Sequence, residues 1–233
     1  MLGVAAGDSH SLALLSSGQV VAWGDNRFGQ TSIPFGVAGV SAIAAGRHHS
    51  LALLHNGSVA GWGLNSYGQA SPPPTLAGVK AIAAGFLHSA ALLSNGTVVV
   101  WGDNSSGQAN VPPALSNIVA IASGDFHILA LRADGSVIGW GDDLFGQVDV
   151  PNSITNATAI ASGYYHGLAL LPTTPATLHV ERIANGIVIS WSGAGTLQSA
   201  PAVTGPFADI LNGTQRYTNS DLSLPATFYR LRK

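Results

Sequence analysis

One interval governs this sequence: the same pattern returns every 39 residues as far as residue 171. Trp23, Trp62, Trp101 and Trp140 keep that step, and so do Gly7, Gly46, Gly85, Gly124 and Gly163. His10, His49, His88, His127 and His166 recur in phase, as do the Gly-Gln pairs that begin at Gly29, Gly68, Gly107 and Gly146. A period of roughly 20–50 residues marks solenoids, propellers and arrays, whose unit cannot bury its apolar face alone and must stack on a neighbour.

Each repeat reads as three strands. The first is short and Ala-rich, as in Val79-Lys80-Ala81-Ile82-Ala83-Ala84. A glycine and two variable residues follow, and the histidine then opens a second strand, as in His88 to Leu93. Asn56-Gly57, Asn95-Gly96 and Asp134-Gly135 come next, with Ser17-Gly18 in the first repeat. Such pairs predict a type I′ hairpin turn, whose twist suits the flanking strands. The third strand ends at Trp-Gly, and a polar loop leads through Gly-Gln to proline at Pro34, Pro72 to Pro74, Pro112 and Pro113, or Pro151. Proline lacks a backbone donor, so that segment is not a central strand. Apolar runs of about five residues broken by frequent glycine exclude helices. Equal antiparallel units with a Gly and Trp signature predict propeller blades, which leave only short edges.

Composition narrows the class. With 46% apolar and 9% charged residues the chain is a core-rich folded protein, not a disordered one. Absence of cysteine excludes disulfides, thiolate metal sites and a cysteine nucleophile, and leaves the redox compartment open. No run approaches the roughly 18 apolar residues of a membrane-spanning helix. Residues 1–171 carry a net charge of −4 and residues 172–233 a net charge of +2. An acidic repeat region argues against nucleic acid as a partner, because phosphate binding needs clustered Lys and Arg. Met1-Leu2-Gly3-Val4 enters the repeat with no basic segment before a hydrophobic one, so no secretory signal is read. Because the chain begins inside a repeat, it is expected to be a fragment with sequence upstream.

The motif A-I-A-A-G-R-H-H-S-L-A-L from Ala42, followed by N-G-S-V-A-G-W-G and Gly68-Gln69, closely resembles the repeat of the regulator of chromosome condensation family. Its compact length is similar to that of bacterial members, among them secreted β-lactamase-inhibiting proteins. The resemblance covers residues 1–171 and implies blades around a central axis, seven in the family. This chain supplies four full repeats and a partial fifth, Ala157 to Leu171, which stops before its turn and Trp. The expected fold is therefore all-β: a partial propeller of 39-residue units whose ring does not close as in the family.

Residues 172–176, opening Pro172-Thr173-Thr174-Pro175, read as a linker. Residues 177–233 hold short alternating stretches at Leu178 to Val180, Ile187 to Trp191 and Thr227 to Leu231, which predict a small β-sandwich-like module. Asn185-Gly186 before Trp191 copies the repeat's turn-to-Trp spacing 12 residues late, so it reads as a hairpin and not a sixth blade. The segment G-T-L-Q-S-A-P-A-V-T-G-P-F, with the terminal F-Y-R-L-R-K, resembles a module common on secreted Planctomycetes and Verrucomicrobia proteins. That likeness implies export.

The in-phase histidines suggest a metal site at first sight, but ligands must converge on one ion at about 2.0–2.2 Å, and equivalent positions on separate blades cannot. They are expected to hydrogen-bond backbone in their own or the next blade. The tryptophans are expected to fill the gaps between blades. Asp25-Asn26, Asp103-Asn104 and Asp142-Asp143 suit calcium by ligand type, yet Asx turns explain them more cheaply. No G-x-S-x-G or H-E-x-x-H motif occurs, and Glu181 is the only glutamate, so no Glu pair exists for glycoside hydrolysis. The reading is a non-enzyme with no cofactor and no metal.

Function should sit where the repeats differ. The variable pairs before each His are Asp8-Ser9, Arg47-His48, Phe86-Leu87, Asp125-Phe126 and Tyr164-Tyr165. By strand direction they share a face with the loops after Trp-Gly, which bring Arg27-Phe28, Asn65-Ser66-Tyr67, Ser105-Ser106 and Leu144-Phe145. Phe28, Arg47, Tyr67, Phe86, Phe126, Phe145, Tyr164 and Tyr165 have the make-up of a protein-binding hot spot. The family resemblance singles out Phe86, Phe126, Tyr164 and Tyr165, since the inhibitors' binding aromatics lie at such loops. The expected function is a secreted or cell-surface protein-interaction module. Carbohydrate binding is the alternative, because exposed Tyr and Phe serve it too. Nucleotide exchange on a small GTPase, the activity of the eukaryotic branch, is less expected, since the unbroken spacing leaves no room for an inserted wedge.

Overall fold

The computed structural model describes residues 1–172, 177–184, 186–192, 196–200, 208–210, 216–219 and 228–232. Most of the expected linker (173–176), Asn185 and residues 201–207 of the C-terminal motif lie outside the described residues. The chain divides into two bodies, Met1–Leu171 and Pro172–Lys233.

The first body is a series of antiparallel sheets, one per repeat. Repeat one holds β1 (Gly3–Ala6), β2 (His10–Leu14) and β3 (Val20–Gly24). Repeat two holds β4 (Val40–Ala45), β5 (His49–Leu54) and β6 (Val59–Gly63), and repeat three β7 (Val79–Ala84), β8 (His88–Leu93) and β9 (Val98–Gly102). Repeat four holds β10 (Ile118–Ser123), β11 (His127–Arg132) and β12 (Val137–Gly141). Repeat five holds β13 (Ala159–Ser162) and β14 (Gly167–Leu170). The second strand is the middle of each three-stranded sheet.

The core lies between repeats. Leu12 and Leu14 pack forward with Ala52 and Trp62 of repeat two, and Leu51 and Leu53 pack forward with Ala91 and Trp101 of repeat three. Leucines of the middle strand thus face the next repeat, and the alanine between them faces the previous one. Both faces are buried, which is why this strand shows no polar alternation. The tryptophans fill the joins as expected: Trp62, Trp101 and Trp140 are 6–8% exposed. Trp23 stands at the start of the series and is 51% exposed.

The repeated glycine answers a close approach. A side chain on Gly46 would strike its own His49 ring and the Gly85 carbonyl of the next repeat, and Gly7, Gly85 and Gly124 meet the same obstacles in turn. Gly163 meets only its own His166. Leu168 and Leu170, the counterparts of Leu12 and Leu14, are 60% and 64% exposed. Among the described residues the interface between successive repeats is therefore not made from repeat five back to repeat one, and the series is an open arc.

The turns differ from expectation. A type I′ turn needs positive φ at both central residues. Here Gly57 has φ of 80° while Asn56 does not enter that region. The Gly57 N–H donates to the Leu54 carbonyl at 2.9 Å and the Leu54 N–H to the Ser58 carbonyl at 2.9 Å, which closes a three-residue loop on a glycine bulge. The Asn56 side chain accepts the Ser58 N–H at 3.0 Å. That local bond holds Asn56 at negative φ and leaves the positive angle to the glycine.

In the second body β15 (Thr177–Ile183), β16 (Gly186–Ser192) and β19 (Arg216–Asn219) form one sheet. A second contains β17 (Thr196–Ala200), β18 (Ala208–Asp209) and β20 (Phe228–Arg232). Ile189 and Trp191 of the first sheet bury against Leu197 of the second. β15 and β16 pair as an antiparallel hairpin within this body.

Candidate protein-binding face

The loops of the candidate face are held by a network that the Gly-Gln pair anchors. Gln30 accepts the Phe28 N–H on its amide oxygen at 3.0 Å and donates to Asp25 at 3.0 Å, stapling its own loop. Its backbone carbonyl points the other way and accepts the Trp62 indole N–H at 2.8 Å and the Ser50 hydroxyl at 2.8 Å. The His10 ring meets that same hydroxyl through Nε2 at 2.9 Å. Because Ser50 donates to Gln30, His10 must carry its proton on Nε2. Gln69 and Gln108 accept Trp101 and Trp140 in the same way, at 3.0 and 2.9 Å.

For His10 and His49 this corrects the expectation that the histidines bond backbone. His10 and His49 bond a serine of the next repeat, Ser50 and Ser89. His88 and His127 have no serine to meet, because Ile128 and Gly167 occupy that position. His166 is exposed. Burial, ahead of repulsion from the neighbouring imidazoles, holds His49 down to about 3 and His88 to about 4.

The carboxylates and amides after each Trp-Gly are also spoken for. Asp25, Asp103 and Asp142 accept from the glutamine of their own loop, and Asn26, Asn104 and Asp143 accept the N–H groups of Thr31, Ala109 and Val148. Among the described residues no three His, Asp or Glu side chains form a group suited to a metal ion. Repeat two carries Leu64 where its neighbours carry aspartate, and the buried Gln69 Nε2 has no hydrogen-bond partner there. Leu64→Asp is expected to supply that acceptor and raise stability by up to about 1 kcal/mol. A lowered denaturant midpoint in the variant would contradict this account.

On this frame the tips before each histidine and the loops after each Trp lie together: the Asp25 N–H donates to the Ser9 carbonyl at 2.8 Å, and Leu64, Asp103 and Asp142 repeat the bond in later repeats. Phe28 stacks on His48 of the next repeat at 4.9 Å between centroids, and Phe145 on Tyr165 at 4.8 Å. Tyr165 in turn meets Tyr164 edge-on at 4.4 Å. Arg47 pairs with Asp8 at 3.1 Å and lies 4.0 Å over the Phe86 ring, which touches Phe126 at 5.0 Å. Of the residues singled out from sequence, Phe28, Tyr67, Phe145, Tyr164 and Tyr165 are exposed, while Arg47, Phe86 and Phe126 are half-buried.

The inner edge of this face is a cavity of about 340 Å³ lined by the five repeated glycines with Asp8, Arg47, Asp125 and Tyr164. Burial, then the charge of Asp8, pushes the Asp125 carboxyl up to about 6, against the pull of Arg47. Sequence reasoning passed over Asp8, His48 and Asp125 as contributors. Their position in the variable pair was the available signal, but the choice favoured aromatic residues and arginine.

The arrangement defines an all-β, propeller-like repeat protein. The sequence profile described as the regulator of chromosome condensation (RCC1) repeat matches residues 3–30, 40–69, 79–108 and 118–147, together just over half of the chain, and the chain belongs to that family. Among solved structures it is similar to Prp20p from Saccharomyces cerevisiae, with a TM-score of 0.61 and 20% identity over 72% of this chain and 55% of that one. It is also similar to yeast RCC1 (Prp20) bound to Kap60, with a TM-score of 0.61 and 24% identity over 81% and 55% of the two chains. The ectodomain of the Physcomitrella patens receptor kinase CR4 gives a TM-score of 0.59 and 24% identity over 87% and 53%. At this identity the likeness is one of fold, and the chain spans just over half of each of these structures. No curated protein sequence matches the chain. No helix among the described residues is long and apolar enough to cross a membrane.

Proposed function

We propose that the chain is a non-catalytic interaction module that grips a protein partner through the face bearing Phe28, Arg47, Tyr67, Phe86, Phe126, Phe145, Tyr164 and Tyr165. The observation that carries this reading is the contact series Asp8–Arg47–Phe86–Phe126, flanked by the Phe145–Tyr165–Tyr164 cluster. Aromatics held by neighbouring rings, with an arginine lying on one, lose little side-chain entropy on binding and supply most interface energy. The repeat fold serves as a protein-binding scaffold elsewhere: yeast RCC1 (Prp20) is seen bound to Kap60, and the binding of Prp20p to Gsp1p and histones is described. Likeness to compact, secreted bacterial β-lactamase inhibitors, and of the C-terminal region to a module on exported proteins, supports a secreted or cell-surface setting.

A purified β-lactamase immobilised on a sensor surface is the first probe, with a glycan array run in parallel. Phe86→Ala and Tyr164→Ala are expected to weaken protein binding by about 30-fold or more each, the effect of a hot-spot residue. The exposed Tyr164 should cost under about 1 kcal/mol in stability when truncated. Glycan binding that these substitutions abolish, with no protein bound, would replace the reading with a carbohydrate module.

A further inference from the structure

Repeat four ends in a cavity of about 300 Å³ with apolar and polar walls, and the repeats before it show what that cavity holds. Its walls include Leu129, Val137, Gln147, Val150 and Ile154. Three repeat lengths earlier these positions are Leu12, Val20, Gln30, Ile33 and Val37. There the four apolar residues form one cluster with Trp62, whose indole donates to the Gln30 carbonyl. The joins after repeats two and three are filled by Trp101 and Trp140 in the same manner. The fourth cluster, around Leu129, Leu131 and Val137, contains no tryptophan. Repeat five has two strands where the others have three, and position 179 is a histidine that belongs to β15 of the second body. Among the described residues no hydrogen bond reaches the Gln147 carbonyl, and β14 pairs on one side only.

We infer that this cavity and the adjoining edge of β14 form a binding site for an extended peptide carrying tryptophan, which adds as the third strand of repeat five. The site continues the interface that the chain makes three times within itself, so its ligand is specified. The internal occupants read V-A-G-W-G at β6, V-V-V-W-G at β9 and V-I-G-W-G at β12. Strand addition supplies main-chain hydrogen bonds, and the indole in its slot supplies selectivity. Phenylalanine would fill the apolar walls but leave the buried carbonyl without a donor, which disfavours it. Phe145 and Tyr165 of the face proposed above border this cavity, but the tryptophan slot and the β14 edge lie apart from the Arg47–Phe86–Phe126 series and go beyond the interaction proposed there.

The probe is a capped peptide of residues 97–103, Thr-Val-Val-Val-Trp-Gly-Asp, titrated into the full chain by calorimetry. Replacing its tryptophan by alanine is expected to weaken binding by about 30-fold or more, as for a central anchor. Register gives a second readout that does not depend on affinity. In β8–β9, Ala91 opposes Val99, and Ala169 is the counterpart of Ala91. The chain has no cysteine, so Ala169→Cys is a unique thiol. Its thiolate should displace the leaving thiol of an activated mixed disulfide on a peptide carrying Val99→Cys at least ten times faster than on one carrying Val100→Cys, whose side chain lies on the other face. Equal binding of the Trp and Ala peptides, no binding at millimolar peptide, or cross-linking without register preference would each overturn the assignment.

Discussion

Trp62→Ala is expected to lower the unfolding free energy by about 3–5 kcal/mol, the usual loss for a buried aromatic truncated in a core. Trp23→Ala, at the same repeat position, should cost under about 1 kcal/mol, as for other exposed sites. The contrast is physical, since the two residues share sequence context and strand type. Trp62 is 6% exposed among Leu12, Leu14 and Val40, and its indole donates to the Gln30 carbonyl at 2.8 Å. Trp23 is 51% exposed. Trp62→Phe separates the two contributions, because it keeps most of the apolar contact and loses the bond. A cost of roughly 1–3 kcal/mol is expected for it, from a buried acceptor deprived of its donor. Guanidinium denaturation of the three variants reads all of this. Equal losses for Trp23→Ala and Trp62→Ala would show that the join between repeats does not decide the stability of its tryptophan.

The period alone made most of the architecture readable. Strand number and order in each repeat, the buried tryptophans at the joins and the open arc all follow from residues that recur at one spacing, because a repeated unit must meet its neighbour the same way each time. What sequence reading missed lies in contacts between repeats. The invariant Gln30, Gln69, Gln108 and Gln147 were seen as part of a motif without a task. Their task, to staple one loop and cap the next tryptophan, needs two repeats in view at once. His10 and His49 were assigned to backbone because a buried imidazole needs a partner, and Ser50 and Ser89 supplied it from 40 residues away. The turn was misread because Asn-Gly suits two loop lengths, and only the Leu54–Ser58 pairing distinguishes them. The aromatic face was located from loop positions, but the Asp8–Arg47–Phe86 contacts join three consecutive repeats and had no local signal.

Acid is expected to destabilise the protein well above the carboxylate range, and the histidines at the joins are the reason. His49 and His88 titrate at about 3 and about 4 in the folded chain, against 6.5 when unfolded, because burial opposes their charged form. His10 and His127 are lowered as well, again chiefly by burial. Between these folded values and 6.5 the unfolded chain binds more protons than the native one, so stability falls as pH falls. Each strongly shifted histidine contributes a slope of about 1.4 kcal/mol per pH unit, or roughly 2 kcal/mol lost between pH 7 and pH 5. Asp125 acts in the opposite sense. Its folded value of about 6 lies above the usual 3.8, so its contribution is present at low pH and is lost as pH rises through 6. It is one group, partly solvated, and its share is correspondingly reduced. The net expectation is a loss of roughly 3 kcal/mol from pH 7 to pH 5, with at least about one proton net taken up on unfolding near pH 5. Urea unfolding across that range measures the first, and the pH dependence of the midpoint gives the second. A stability that stays level from pH 7 to pH 5 would mean that the imidazoles reach solvent or a carboxylate, and the burial of the histidines at the joins would have to be redrawn.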